Sequence, residues 1–330
     1  MSKYAAAYAN PQGPGDARPT ALQVVQDEGL TGQLGGKVVL ITGANTGIGL
    51  ETARAIHATG ATLFVTGRDS KKAQEAVDSI KNHTPGSDAP VHPIELRLDS
   101  LASVRAAAEA FRSQSDRLHV LVLNAGVMAT PLGTTQDGVE TQFATNHLGH
   151  FLLFQLLKPV LLASSTPEAQ CRVVALSSMA HHRTTVHLDD VNYEKGAYDP
   201  WEAYGRSKTA NVLFANQLER RYGARGVHGL SVHPGLVLSN ILQHCDMDEF
   251  RQLISSDAAQ ALISTPAQGA ATPTYAAVGN EWEGLGGRYL ADLADKTNAG
   301  DMTGPAAWTK DEQLQRALWE RSNQLVGFEE

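Results

Sequence analysis

The chain has 330 residues, 42% of them hydrophobic, enough apolar material for one large core or two modest ones. Its formal net charge is −8 and no Lys/Arg run rises above that acidic background, which argues against nucleic acid and anionic membrane surfaces and leaves small molecules as the expected partners. The only cysteines, Cys171 and Cys245, are too few for a disulfide framework, and no apolar run resembles a signal segment or reaches bilayer length, so a soluble, cytoplasmic protein is expected.

Residues 1–36 read as an N-terminal extension, with the Pro/Gly-rich stretch 10–16 as a mobile leader and 20–28 as a short helix outside the core fold. From residue 37 short β-branched runs alternate with longer helical ones. Strands are expected at 38–42, 62–66, 92–97, 120–124, 172–177, 228–233 and 287–290, and helices at 48–59, 70–83, 101–113, 139–162, 203–222 and 267–279. That order predicts an α/β fold: one doubly wound, seven-stranded parallel sheet with helices on both faces, a single domain spanning 37–292, and a C-terminal extension over 293–330. Two connections, 179–202 and 239–264, are longer than routine and are expected to be substrate loops, with 246–251 as either the rim of a lid or a surface helix.

After the first strand, Thr42-Gly43-Ala44-Asn45-Thr46-Gly47-Ile48-Gly49 opens a helix. Glycines there let the backbone approach a pyrophosphate while the helix N-terminus offers unpaired N–H groups, so the segment reads as a nucleotide cradle. Where the second strand ends, an acidic residue would accept ribose hydroxyls; this chain has Thr66-Gly67-Arg68 instead, and an arginine favours the 2′-phosphate of NADP(H). Asp99, just after the third strand, is placed for the adenine edge, and Asn124-Ala125-Gly126 ends the fourth strand with residues small enough to admit a flat cofactor.

Tyr204 and Lys208 stand four apart in a helical stretch, which puts phenol and ammonium on one face as an acid/base pair. With the glycine turn, Asn124-Ala125-Gly126 and this pair in that order, the chain resembles the short-chain dehydrogenases/reductases, whose fold is a single Rossmann domain, over roughly residues 36–292. The stretches 40–49, 145–151 and 177–182 look most like the retinol-dehydrogenase and WW-domain-oxidoreductase branch, and many fungal natural-product reductases of secondary metabolism look similar. The resemblance implies a tetrad. Ser178 would hydrogen-bond the substrate oxygen, and Tyr204 would give or take its proton. Lys208 would bind the nicotinamide ribose and lower the tyrosine pKa, and Asn146 would hold a water that continues the proton path. Pro234, Val237 and Ser239 match the segment that walls the nicotinamide, with serine where threonine is usual. A homodimer through the helices at 139–162 and 203–222 is also implied, unless the stretch 303–325, with Trp308, Leu314, Leu318 and Trp319, covers that surface.

Twelve histidines invite a metal reading, but the spacing of His147 and His150 fits no strong zinc motif, and His181, His182 and His187 lie with Asp189 and Asp190 in a polar loop; no metal is expected. His181 or His182 is expected at the substrate entrance, and Met179, Tyr198 and Trp201 as its apolar wall. Two competing functions use the same cradle: non-redox chemistry on the scaffold, such as isomerisation, dehydration or cyclisation, and NADP(H) sensing by a regulatory protein.

Overall fold

Runs of Val, Leu and Ile with no polar alternation become strands buried on both faces, as parallel sheets require. The computed structural model of the protein describes residues 2–84, 86–300 and 302–329, the side chains of Glu249 and Leu253 excepted. Its strands are Val38–Ile41 (β1), Thr62–Gly67 (β2), Val91–Glu95 (β3), Val120–Leu123 (β4), Cys171–Leu176 (β5), Val227–Val232 (β6), Leu236–Val237 (β7), Ile263–Ser264 (β8), Arg288–Ala291 (β9) and Ala294–Asp295 (β10). Among the described residues the main sheet has eight strands in the order β10-β9-β6-β5-β4-β1-β2-β3, parallel except for β10. The order reverses between β1 and β4, the switch point where doubly wound sheets bind ligands.

Each of the seven expected strands forms; the eighth is a hairpin return. Asp292 and Leu293 both have positive φ, so β10 folds back on β9 through a two-residue turn. Neither is the glycine or asparagine that would advertise such a turn, and burial of Leu293 holds it instead.

Helices cover both faces. Gly47–His57 (α2), Ser70–His83 (α3) and Ala271–Val278 (α7) pack on one side, while Leu101–Arg112 (α4), Gly149–Ser164 (α5) and Pro200–Tyr222 (α6) pack on the other. The helix expected at 139–162 is interrupted: Ala144–Leu148 is a π-helical turn, closed by the Gly149 N–H to the Ala144 carbonyl, and Asn146 lies within it. By length and composition Thr141–Ser164 could cross a bilayer, yet most of it is buried inside the fold.

Both extensions join the core. Glu312–Val326 (α8) lays Trp319 among Phe151, Phe154, Phe214 and Tyr222, at centroid distances of 5.1 to 6.1 Å. The face of α5 and α6 through which the resemblance implied pairing is therefore covered by the chain's own C-terminal helix. At the other end, Ala21–Asp27 (α1), capped reciprocally by Thr20 and Gln23, buries Val24 and Val25 in the core, contrary to the expectation that it lies outside. Nor is 10–16 a free leader. The buried Arg18 guanidinium pairs with Asp16 and donates to the carbonyls of Gly13, Ala261, Leu262 and Ile263, and Gln268 donates to Asp16 and to the Arg18 carbonyl. Burial alone would raise the Asp16 carboxyl, but its hydrogen bonds from Arg18 and from the Gln12 and Arg18 N–H groups hold it down at about 2. The base of the loop 239–264 is thus fastened by the N-terminus.

Replacing Arg18 by Met leaves Asp16 buried without its cation. The expected result in urea denaturation is a loss of roughly 3 kcal/mol, with faster proteolysis within 239–264; a loss below about 1 kcal/mol would show that the clamp does not stabilise the fold.

Candidate active site

The glycine turn sits at the switch point. Gly43 and Gly47 take positive φ values of 65° and 59°. A Cβ on Gly43 would lie 2.8 Å from that of Ala125, and one on Gly49 would meet the Gly43 carbonyl at 2.3 Å, so side chains there would force β1 and β4 apart. The end of β2 holds the turn from outside: Thr66 accepts the Gly43 N–H at its hydroxyl and the Ala44 N–H at its carbonyl. Thr46 begins α2 without a side-chain cap, which leaves that helix end, with Asn45 and Ile48 beside it, to an anion. Ser239 approaches Gly47 closely enough that a Cβ there would lie 3.4 Å from its own, and Val237, in β7 after Pro234, packs near Ile48 over Gly269.

Three further sequence-derived residues stand around the turn. The Asn124 amide donates to the carbonyls of Thr42 and Gly43, so it braces the turn from behind. Arg68 is exposed at the end of β2, and Asp99 is engaged with Arg97 at 3.2 and 3.3 Å. An adenine contact by Asp99 would therefore compete with that ion pair.

The four tetrad side chains converge at the carboxyl ends of β4 and β5. Tyr204 and Lys208 are buried on α6, and Ser178 follows β5, its hydroxyl accepting the Ala180 N–H and standing close enough to the phenol to lower its pKa. The Lys208 ammonium lies 5.5 Å from the centre of the Tyr204 ring and donates to the Leu176 carbonyl, which the Asn211 amide also reaches. Asn146 uses both ends of its amide: Oδ1 accepts from the Val127 N–H, while Nδ2 donates to the Val127 carbonyl and to the Ser207 hydroxyl. A Cβ on Gly126 would come within 3.0 Å of Asn146 Oδ1 and 3.5 Å of Lys208 Nζ, so this glycine keeps the floor between them low. Open helix N–H groups at one end and a glycine floor beside a buried ammonium at the other fit a nicotinamide dinucleotide.

One expectation fails here. Burial pushes the Tyr204 phenol up to about 12, with the Ser178 hydrogen bond working against it, and brings Lys208 down to about 8. Desolvation drives both groups toward neutrality, and the ammonium, 5.5 Å from the ring centre, does not offset it for the phenol.

Thr42 and His150 link the two ends of the site. His150 Nδ1 lies 3.0 Å from the Asn146 carbonyl, which can only accept, so Nδ1 carries the proton and Nε2 accepts from the Thr42 hydroxyl at 2.8 Å. The Thr42 oxygen then accepts the N–H groups of Asn124 and Ala125. Sequence reasoning missed both residues, although a histidine four positions after Asn146 is at the helical spacing that lets a side chain return to that carbonyl.

Residues 37–249 match the short chain dehydrogenase family. The chain belongs to that family. It is 44% identical to the short-chain dehydrogenase/reductase prx1 of Penicillium roqueforti over 99% of this chain and 96% of that protein. It is 38% identical to human retinol dehydrogenase 11 over 90% and 88% respectively. Among solved structures, an uncharacterised protein of Mycobacterium paratuberculosis superposes with a TM-score of 0.67 at 33% identity, covering 89% of this chain and 95% of that one.

Within this short-chain dehydrogenase the two long loops meet over Tyr204. Met128 and Ala129 form an apolar cluster with Tyr204, against which Ala180, Trp201, Ile241, Leu242 and Cys245 pack. Ala129 has a positive φ of 49°, and its N–H is held by the buried Gln142 side chain, which also donates to Tyr198 and to the Pro200 carbonyl. Of the expected wall residues, Trp201 is in place. Tyr198 belongs to this supporting network, and Met179 is exposed. His181 is buried beneath the Ser178 turn and does not line the entrance. Among the described residues no group of three or more metal-capable side chains converges. His147 hydrogen-bonds Ser322 on α8.

Burial holds His147 and His150 at about 3 and His181 at about 4, below the ordinary 6.5. The unfolded chain binds protons on these rings between those limits and the native protein does not. Stability is therefore complete above pH 6.5 or so and is lost as pH falls toward 4, where His147 and His150 each cost roughly 3 kcal/mol. The urea midpoint should drop steeply across that window; a flat profile would mean that the rings are already charged in the native state.

Proposed function

We propose that the protein is an NADP(H)-dependent oxidoreductase that interconverts a carbonyl and a secondary alcohol of an apolar small molecule, with Tyr204 as the proton donor or acceptor. The observation that carries this reading is the meeting of the Tyr204 phenol, the Ser178 hydroxyl and the Lys208 ammonium under an apolar cluster, beside the glycine-lined floor. The nicotinamide, when bound, supplies or removes hydride. Everything else falls to the chain. Ser178 and Tyr204 donate hydrogen bonds to the substrate oxygen as negative charge develops on it, and Tyr204 completes the transfer by giving up its proton during reduction. Lys208 offers positive charge where the phenolate forms and a donor for the nicotinamide ribose.

NADP(H) is preferred because Arg68 is an exposed guanidinium with no partner among the described residues, at the strand end where an acidic side chain would select NAD. An apolar substrate is supported by Trp201, Ile241, Leu242 and Met128 around Tyr204, and by the name of the human retinol dehydrogenase relative. The resemblance to fungal natural-product reductases supports a role in secondary metabolism, and a chain with only two cysteines, too few for a disulfide framework, suits a reducing cytoplasm.

NADPH consumption over a panel of ketones and aldehydes tests this reading. Tyr204→Phe should lower kcat at least 100-fold and leave NADPH affinity within about twofold; full activity in that variant would remove Tyr204 from the chemistry.

Arg68→Asp should weaken NADPH binding about tenfold or more while leaving NADH little changed, as titration of nicotinamide fluorescence would report. An unchanged preference would take Arg68 out of the site.

Because Lys208 is held at about 8, the reduction rate should fall as pH rises through that value and the ammonium loses its proton. A rate that is flat to pH 10 or so would mean that the charge on Lys208 is not used.

A further inference from the structure

We propose that His181 is a positioning residue for Ser178 and that the chain beyond the sheet, at residues 304–306, completes the clamp, so that the C-terminal extension takes part in setting the reaction geometry. This rests on the oxidoreductase reading above, in which the Ser178 hydroxyl must be aimed at the substrate oxygen.

Ser178 leaves β5 in extended geometry and begins the 3₁₀ turn Met179–His182. Its carbonyl accepts two hydrogen bonds from one residue: the His181 N–H at 3.0 Å and His181 Nδ1 at 2.6 Å. The far side of the same ring, Nε2, accepts the backbone N–H of Ala306 at 3.0 Å. A carbonyl can only accept and an amide N–H can only donate, so the tautomer is fixed from both ends, with the proton on Nδ1. Burial keeps the ring neutral, as this arrangement requires. His182 adds a second link, from Nε2 to the Gly304 carbonyl at 2.9 Å.

The clamp has firm anchors. The His181 carbonyl accepts from the hydroxyl of Thr209, the neighbour of Lys208 on α6. The C-terminal arm is held to the same helix by the Asn216 amide, which donates to the Thr309 carbonyl, while α8 returns Gln315 to that carbonyl. His181 therefore sits where the Ser178 strand end, the Tyr204/Lys208 helix and the C-terminal arm meet. Its ring also packs on Tyr289 of β9, 5.2 Å between centres. A small rotation of the Ser178 peptide would swing its hydroxyl away from Tyr204, and misplacing such a donor is costly in rate.

Side-chain amides separate the two ring contacts. His181→Asn can keep a donor near the Nδ1 position, toward Ser178, and His181→Gln can keep an acceptor near Nε2, toward Ala306. Phe keeps only the ring. Ala306→Pro removes the N–H at a residue whose φ of −58° already suits proline. For turnover of NADPH with a ketone, we expect kcat to fall about threefold in His181→Asn, about 30-fold in His181→Gln and His181→Phe, and about tenfold in Ala306→Pro, with NADPH affinity within about twofold throughout. Hydrogen exchange of the peptide over 177–182 should rise in the same order. Equal kcat for Asn and Gln, or a fall in melting temperature with kcat per folded molecule unchanged, would overturn the clamp. Wild-type protein that binds NADPH and turns over no carbonyl would count against the oxidoreductase reading instead; the exchange order then decides the clamp by itself, and equal exchange in all variants would overturn it.

Discussion

A single buried hydroxyl, that of Thr42, holds the switch point together. Its oxygen accepts the two backbone N–H groups that β4 presents as it ends, and its proton goes to His150, whose other nitrogen grips the carbonyl of Asn146. The Val122 carbonyl also lies within reach of that proton, at 3.4 Å, but the contact to His150 is shorter at 2.8 Å. None of these polar groups could be exchanged for an apolar group without orphaning a buried partner, which costs about 1–3 kcal/mol each. The consequence is positional. The turn that would cradle phosphates and the π-helical turn that carries Asn146 are joined through His150 by two hydrogen bonds, which ties the phosphate end of the site to the proton end.

The same dryness shapes the electrostatics. Tyr204, Lys208, His150 and His181 are all buried, and each is displaced toward its neutral form by loss of water. For His150 and His181 neutrality is structural, because each must accept at one nitrogen while donating at the other. For Tyr204 it has a chemical meaning. A phenol kept protonated across neutral pH, with an ammonium 5.5 Å from its ring centre, is in the form needed to deliver a proton to a developing alkoxide. The desolvation that raises the phenol in the resting site also strengthens every interaction with the charge that forms during reaction.

How much of this was legible in the sequence follows from how local each signal is. Strand positions, the glycine turn and the spacing of Tyr204 and Lys208 are patterns within a few residues, where period and spacing carry the physics, and they read directly. Asn124 was recognised for its position, whereas the bracing of the turn by its amide, which donates to the Thr42 and Gly43 carbonyls, shows only in the fold. His150 and His181 were weighed as metal ligands or entrance residues; their partners lie up to 125 positions away, and no local pattern encodes such a bond. The hairpin at Asp292 and Leu293 went unread for the opposite reason: Leu293 is a poor turn former without the glycine that would mark the turn, and its burial overrides that preference.

The extensions show where a common fold acquires individual constraints. A Rossmann sheet leaves the carboxyl ends of its strands to loops, and loops of the length found at 179–202 and 239–264 are entropically expensive to hold in one shape. Here each is tied down by chain from outside the sheet. Arg18, carried in from the N-terminus, gathers the carbonyls of 261–263 at the base of one loop, and the C-terminal arm meets His181 and His182 at the start of the other. The apolar cluster over Tyr204 is built from residues of both loops, so its shape depends on both fastenings. The shape of that cluster is then set partly by segments outside it, through the order they impose on the loops that form it.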